Sequence, residues 1–428
     1  MEFNHICIIG LGYIGLPTAS TFASRGLRVT GVDRNQEVVK SLRNGKVHIY
    51  EPGLREIVED VLREGKLQIS EKPVEADAFI IAVPTPFYDD KKADLSYVRS
   101  AAESVVPVLR KGNLVVLEST SPPLTTRDVV QPILEKSGLK AGEDFKLVYS
   151  PERVLPGQIL KELVENARVI GGIDNASALA GRDLYSIFVK GEIVLTDATT
   201  SEMVKLMENT YRDVNIAIAN EFSRLAERFG VDVWEAISIA NRHPRVKILN
   251  PGPGVGGHCI SVDPWFFVES APDLTPLIYT ARKVNDSQPE FVVSLLANVM
   301  GHLKGKKVAV LGLAYKPDVD DLRESPAVDI ARHLAREGAL VTAFEPFKTD
   351  FKIENVQMAK SLEEALASAD VVLLLVAHTQ FKNLDPKVVS GYTPTRIAID
   401  TVNVWNPESW NAAGFNIVRL GDRKNRTL

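Results

Sequence analysis

At 428 residues the chain is too long for one hydrophobic core and suits two or three domains. Its 45% apolar and 25% charged residues are those of an ordinary globular protein, and a formal charge of −5 gives no electrostatic ground for a nucleic acid or an anionic membrane as partner. Two cysteines cannot build a disulfide framework, which points to a reducing, cytoplasmic setting.

The first predicted strand falls at residues 6–9, Ile-Cys-Ile-Ile, and buries Cys7. Nothing ahead of it has the basic and apolar pattern of a signal peptide. Further apolar runs at 29–32, 78–83, 114–117 and 146–149 alternate with amphipathic stretches such as 37–43 and 95–109, which predicts a parallel sheet wrapped by helices. Residues 201–229 contain neither Gly nor Pro, and Met203, Leu206, Met207, Val214, Ile218, Phe222 and Leu225 recur at spacings of three and four, with Thr210 and Tyr211 filling the gap. That is one helix of about 29 residues, on the order of 43 Å long. A helix of this length joining two domains is expected to pack also on a second copy, giving a homodimer or a higher homo-oligomer. The plainer alternative is that its stripe packs only on its own domains. The longest apolar run, 371–377, is far shorter than the roughly 20 residues that span a bilayer, so no membrane partner is expected.

A second unit opens at Lys306, with predicted strands at 308–311, 340–344, 371–376 and 396–400. It echoes the first. His5-Ile-Cys-Ile-Ile-Gly-Leu-Gly-Tyr13 parallels Lys307-Val-Ala-Val-Leu-Gly-Leu-Ala-Tyr315, and Ala76-Asp-Ala-Phe-Ile-Ile-Ala-Val83 parallels Ala369-Asp-Val-Val-Leu-Leu-Leu-Val376. The expected architecture is α/β: two Rossmann-like doubly wound parallel-sheet domains joined by a long central helix. Its expected boundaries are 1–196 for dinucleotide binding, 197–300 for the helical middle and 301–428 for the second sheet.

Gly10-Leu-Gly12-Tyr13-Ile14-Gly15 follows a strand and opens a helix. The first glycine suits a tight turn, the second lets backbone approach a pyrophosphate, and the third allows close helix–strand packing. The second strand ends in Asp33, 18 residues after Gly15, where a carboxylate bonds ribose hydroxyls and repels a 2′-phosphate. NAD is the expected cofactor; Arg34, next door, is the residue that could instead accept a phosphate. In the second unit Gly312-Leu-Ala314-Tyr-Lys316 lacks the later glycines, so Lys316 and Arg323 become candidates for holding a different anion.

The stretch Pro251-Gly-Pro-Gly-Val-Gly256-Gly-His258-Cys259-Ile-Ser-Val-Asp263 sets the other cysteine among glycines, where backbone can approach closely and a substrate could reach the sulfur. No His, Cys or Asp cluster has metal-ligand spacing, and no metal is expected.

With Gly10-Leu-Gly-Tyr-Ile-Gly-Leu-Pro17 stand Val83-Pro84-Thr85-Pro86, Glu118-Ser-Thr120, Ser150-Pro-Glu152-Arg153, Lys205 with Asn209, Gly256-Gly-His-Cys259 and Leu322-Arg-Glu-Ser-Pro326. In their order and spacing the chain resembles the UDP-glucose/UDP-mannuronate dehydrogenase family along nearly its whole length. The glucose branch usually has lysine before the aspartate of the cysteine motif. Here Val262 stands there and Asp263 leads into Pro264-Trp265-Phe266, as in the N-acetylhexosamine branch that acts on UDP-N-acetyl-D-mannosamine.

The resemblance implies oxidation of a primary alcohol at C6 of a UDP-N-acetylhexosamine to a carboxylate, with two NAD⁺ used in turn. UDP-N-acetyl-D-mannosamine comes first, ahead of UDP-GlcNAc, UDP-GalNAc and UDP-glucose. A thiolate traps the intermediate aldehyde as a thiohemiacetal, a second oxidation gives a thioester, and water releases the acid. By position, Cys259 is the nucleophile, and Lys205 stabilises oxyanions or moves a proton with Asn209 one turn on. Asp263 is the base, directly or through water. Glu152 serves thioester hydrolysis, and Thr120 orients water near the nicotinamide. Tyr13, Ile14, Pro84 and Thr85 fall to the cofactor; Arg153, Gly256 and His258 fall to the substrate. The adjacency of His258 to the cysteine usually points a ring elsewhere, so a structural or sugar-contact part is expected of it. Arg245 lies near an arginine that the family sends into a neighbouring subunit's site, with Arg242 as a rival. Two other readings compete: a two-electron dehydrogenase of the 3-hydroxyacid or 6-phosphogluconate type, and a nucleotide-sugar-binding protein without catalysis.

Overall fold

The computed structural model describes residues 1–424; the end of the expected third domain, 425–428, lies outside the described residues. The chain divides into two compact units, Met1–Glu208 with Trp265–Pro272, and Asn209–Pro264 with the chain from Asp273 onward.

The first unit is built on eight strands: β1 (His5–Ile9), β2 (Arg28–Val32), β3 (Leu67–Ser70), β4 (Ala78–Ile81), β5 (Leu114–Leu117), β6 (Lys146–Tyr149), β7 (Arg168–Gly172) and β8 (Ile193–Asp197). Their order in the sheet is β3-β2-β1-β4-β5-β6-β7-β8. β1, β4 and β5 are buried along their whole length, as runs of Ile, Val, Leu and Phe require when helices cover both faces. Every neighbouring pair is parallel except β6 with β7, which pair antiparallel with Tyr149 opposite Gly171 and Val148 opposite Gly172. That reversal puts the start of β7, Arg168, beside the end of β6.

The second unit carries β9 (Lys307–Leu311), β10 (Leu340–Phe344), β11 (Val356–Met358), β12 (Val371–Leu374), β13 (Ile397–Asp400) and β14 (Asn416–Arg419). All pair in parallel in the order β11-β10-β9-β12-β13-β14, the doubly wound arrangement with its crevice between the first and fourth strands. The expected fold class therefore holds in both units.

Three predicted elements end sooner than the sequence pattern, the first of them 78–83, whose strand stops at Ile81. The stretch 95–109 splits into a helix, Ser96–Val105, and a 3₁₀ turn, Val106–Val108, where Pro107 has no N–H to continue a ladder. The run 371–376 leaves the sheet after Leu374.

The long helix spans Ala198–Phe229, 32 residues, or about 48 Å. Its faces are reversed relative to a surface helix. Glu202, Lys205, Asn209, Asp213, Asn220 and Ser223 are buried, whereas Met203, Met207, Tyr211, Ile218, Phe222 and Leu225 are exposed. Of the predicted apolar stripe, Leu206 is buried. Among the described residues no helix is long and apolar enough to cross a membrane.

Candidate active site

The glycine turn at the end of β1 has the geometry a dinucleotide needs. Gly10 sits at φ +97°, and an added Cβ would stand 2.4 Å from the Ala82 carbonyl oxygen. At Gly15 an added Cβ would stand 1.8 Å from the Gly10 carbonyl oxygen, so the helix Gly15–Ser24 packs on the turn only without a side chain there. Gly12 is the opposite case: its Cβ position meets nothing within 4 Å. That open space lies before a helix whose first turn has no acidic residue and no side-chain cap, so neither a carboxylate nor a capping side chain stands in the way of an anion there. The residues present fit a dinucleotide. Tyr13 and Ile14 are half-buried beside the turn. Asp33 is fastened there, its Oδ2 accepting from the Leu11 amide at 2.9 Å and its Oδ1 from the Asn35 amide at 2.8 Å. Arg34 donates to Ser100 Oγ at 2.6 Å.

Two more loops leave the same sheet edge. Ser119 Oγ accepts from the Val83 amide at 2.9 Å and donates to the Val83 carbonyl at 2.7 Å. The hydroxyl thus clasps the Pro84-Thr85 segment to the loop that carries half-buried Thr120. Beyond β6, Glu152 Oε1 accepts from the Arg153 amide at 2.8 Å and Oε2 from Arg168 Nη1 at 2.8 Å. Arg168 also donates through Nε to Ser150 Oγ at 2.9 Å and through Nη2 to Glu118 Oε1, which takes a bond from the Tyr185 hydroxyl at 2.7 Å. Burial pushes the Glu118 carboxyl up to about 7, against the pull of Arg168. Arg153, expected on the substrate, pairs with Glu208 at 2.6 Å and donates to the Ala167 carbonyl at 3.1 Å. Lys205 is buried on the long helix.

In the second unit, Asn209 Nδ2 donates to Asp263 Oδ2 at 2.5 Å, and the Asp263 amide donates to the Cys259 carbonyl at 2.8 Å. Asparagine, aspartate and cysteine are thus one assembly, with Asp263 only 2% exposed. His258 departs from the expectation based on adjacency. Its Nδ1 lies 3.2 Å from Cys259 Sγ, and its Nε2 lies 3.9 Å from Asp321 Oδ2. The bend that brings neighbouring side chains together follows Gly257 at φ +83°. The glycines also serve a packing purpose that composition did not reveal. A Cβ on Gly256 would stand 2.4 Å from the Glu324 carbonyl, and one on Gly257 would stand 2.7 Å from the Tyr315 ring. The segment is anchored at its start as well. The Gly252 amide donates to Asn220 Oδ1 at 2.9 Å, Asn220 to Asn285 Oδ1 at 2.9 Å, and Asn285 to Asp213 Oδ1 at 2.8 Å, with Arg282 paired to Asp213. The sequence reading missed these residues; the available signal was the polar set Asp213, Asn220 and Ser223 recurring at helical spacing.

The turn after β9 repeats the first turn with its anion built in. The amides of Leu313 and Ala314 donate to Glu345 Oε2 at 2.7 and 3.0 Å, as Leu11 does to Asp33. Glu345 and His378 are both wholly buried, with Nε2 3.1 Å from Oε2. His378 Nδ1 accepts from the Asp318 amide at 2.9 Å, so its proton sits on Nε2. The following helix begins only at Pro326, after the loop that carries half-buried Lys316 and exposed Arg323. Arg323 holds Asp321 by two bonds of 2.9 and 2.6 Å and lines a cleft of about 450 Å³ with Arg332 and Lys348. Arg242 and Arg245 lie on an exposed turn after the helix Val233–Ala240.

A dinucleotide turn on one doubly wound sheet, a second sheet of the same winding without that turn's later glycines, and an Asn–Asp–Cys assembly define a nicotinamide-dependent dehydrogenase. Comparison with protein families finds the UDP-glucose/GDP-mannose dehydrogenase family three times in order: its NAD binding domain at residues 4–189, its central domain at 199–287 and its UDP binding domain at 309–407. The chain belongs to that family. It is 49% identical to the UDP-N-acetyl-D-mannosamine dehydrogenase of Methanocaldococcus jannaschii, over 99% of this chain and 97% of that one. It is 46% identical to an NDP-N-acetyl-D-galactosaminuronic acid dehydrogenase of Ralstonia nicotianae, over 95% and 97%. The solved structure of UDP-D-ManNAc dehydrogenase from Pyrococcus horikoshii matches with a TM-score of 0.91 and 41% identity, over 98% of this chain and 100% of that one.

Proposed function

We propose that the chain oxidises C6 of UDP-N-acetyl-D-mannosamine to the carboxylate, with Cys259 holding the half-oxidised sugar. The observation that carries the reading is the Asn209–Asp263–Cys259 assembly with His258 Nδ1 3.2 Å from the sulfur. A thiol with an ordinary pKa of about 8.5 needs such a neighbour to act as a thiolate. The near-half identity to a UDP-N-acetyl-D-mannosamine dehydrogenase supports the substrate.

Bound at the glycine turn, NAD⁺ supplies a hydride acceptor for each of the two oxidations. Asp263, directly or through water, takes the hydroxyl proton as the alcohol becomes an aldehyde. Sγ then bonds to C6 while its proton passes to His258, and Lys205 with Asn209 stabilises the oxyanion. The second oxidation leaves a thioester. Glu152 takes a proton from the water that attacks it, the C–S bond breaks, and the thiolate regains its proton. Thr120 orients water in the same reading.

Residues 1–196 serve NAD, 197–300 the catalytic middle and 301–428 the nucleotide, with Lys316 and Arg323 on its diphosphate and Arg153, Gly256, His258 and Arg245 contributing to the sugar site. Met207 at 55% and Tyr211 at 66% exposure support a homodimer through the long helix, since lone monomers rarely leave such a stripe in water. A galacto-configured substrate is the second reading, favoured by the Ralstonia relative. The test is NADH formed per sugar across UDP-ManNAc, UDP-GlcNAc, UDP-GalNAc and UDP-glucose. Two NADH per UDP-ManNAc at the highest kcat/KM is expected; one NADH per sugar contradicts the thioester route.

A further inference from the structure

The buried cluster Glu118–Arg168–Glu152 lies wholly in the first unit, and the residue at its centre has no part in the chemistry above. Arg168 owes its position to the antiparallel β7, which starts where β5 and β6 end. There its three donor nitrogens are divided among Ser150 and Glu152 of the 150–152 turn and Glu118 of the 118–120 loop. The guanidinium also lies 3.7 Å over the Tyr185 ring and is 4% exposed, so its direction is over-determined. One cation thus serves two carboxylates, and Glu118 Oε2 is buried without a hydrogen-bond partner.

We propose that Arg168 is the positioning residue of thioester hydrolysis, aiming Glu152 at the attacking water while locking its turn to the loop that carries Thr120. The inference rests on the reading of Glu152 as the hydrolytic base. A base must be held within hydrogen-bond reach of the proton it takes, and a bond from a charged, planar fork gives both the angle and the charge. Glu118 sits behind Arg168 as a competing partner. With its carboxyl pushed up to about 7 by burial, it is neutral below that pH and leaves the guanidinium's charge to Glu152; above it, the two carboxylates share one cation. The groups facing Arg168 are Glu118 after β5, Ser150 and Glu152 after β6, and Tyr185 on the helix Asn175–Tyr185.

Arg168→Lys keeps the charge and offers one nitrogen for three acceptors. The expected result is a kcat lowered about 10- to 100-fold, part of the roughly 10²–10⁴ a placed base contributes, with KM for the UDP-sugar changed less than about threefold. A covalent adduct on Cys259 should build up during turnover. Glu118→Gln keeps an acceptor for Arg168 and removes the competing charge, so the inflection expected near neutrality in the wild-type kcat profile against pH should be absent from this variant's profile. A folded Arg168→Lys enzyme with wild-type kcat and no adduct overturns the proposal. So does a Glu118→Gln profile unchanged from wild type, the deciding result if Arg168→Lys does not fold. Glu152→Gln separates the two readings. Wild-type turnover there defeats Glu152 as the base, whereas an adduct in Glu152→Gln but not in Arg168→Lys defeats the positioning role alone.

Discussion

Cys7 and Cys259 carry the same thiol in opposite surroundings. Cys7 is wholly buried in β1, and desolvation pushes its pKa up to about 11. At about pH 8 iodoacetamide should therefore label one thiol per folded chain, in the peptide that contains Cys259. Labelling of both at equal rates contradicts this. The glycine turn offers a sharper contrast. Gly15→Ala drives a methyl into the Gly10 carbonyl and should cost about 1–3 kcal/mol in denaturant unfolding. Gly12→Ala fills only open space, so it should unfold like the wild type yet bind NADH at least about tenfold more weakly in a fluorescence titration. Equal affinity would show that nothing approaches that face of the turn. The roles of Gly10, Gly12 and Gly15 were legible because each follows from spacing after a strand. The packing of Gly256 and Gly257 on Tyr315 and Glu324 was not, because the partner lies some sixty residues away in sequence.

At the scale of elements, legibility follows burial. β1, β4, β5 and β12 are covered on both faces, and their apolar runs stand out. β3, β8, β11 and β14 are sheet edges, with exposed Gln68 and Gln357 and half-buried Thr196 breaking the pattern. The direction of β7 has no signature in periodicity, so Arg168 could not be placed before the fold was known. For the long helix, spacing shows which residues share a face but not which face turns inward. The structure buries the polar one. Burying each large exposed side chain on a second copy would contribute roughly 1.5–3 kcal/mol. Met207→Lys with Phe222→Lys should shift light-scattering mass toward the monomer while circular dichroism stays unchanged. An unaltered mass would rule the stripe out as the interface.

At the scale of the whole molecule, the chain uses one winding twice and changes what its turn holds. In the first unit Asp33 takes one turn amide and stays half-exposed, with Gly12 open beside it. In the second, Glu345 takes two amides and is sealed by His378. The echo in sequence showed the repeated strand and glycine; it did not show that the carboxylate is repeated too, since Asp33 and Glu345 differ in type and in burial. The two sheets repeat one form, and the proposed chemistry turns on a single covalent bond at Cys259. Acid-quenched Glu152→Gln enzyme, mixed with UDP-N-acetyl-D-mannosamine and NAD⁺, tests it most directly by peptide mass. A sugar-derived thioester on the peptide containing Cys259, formed as NADH appears, is the expected result. NADH produced beyond one equivalent per enzyme with that peptide unmodified would contradict it.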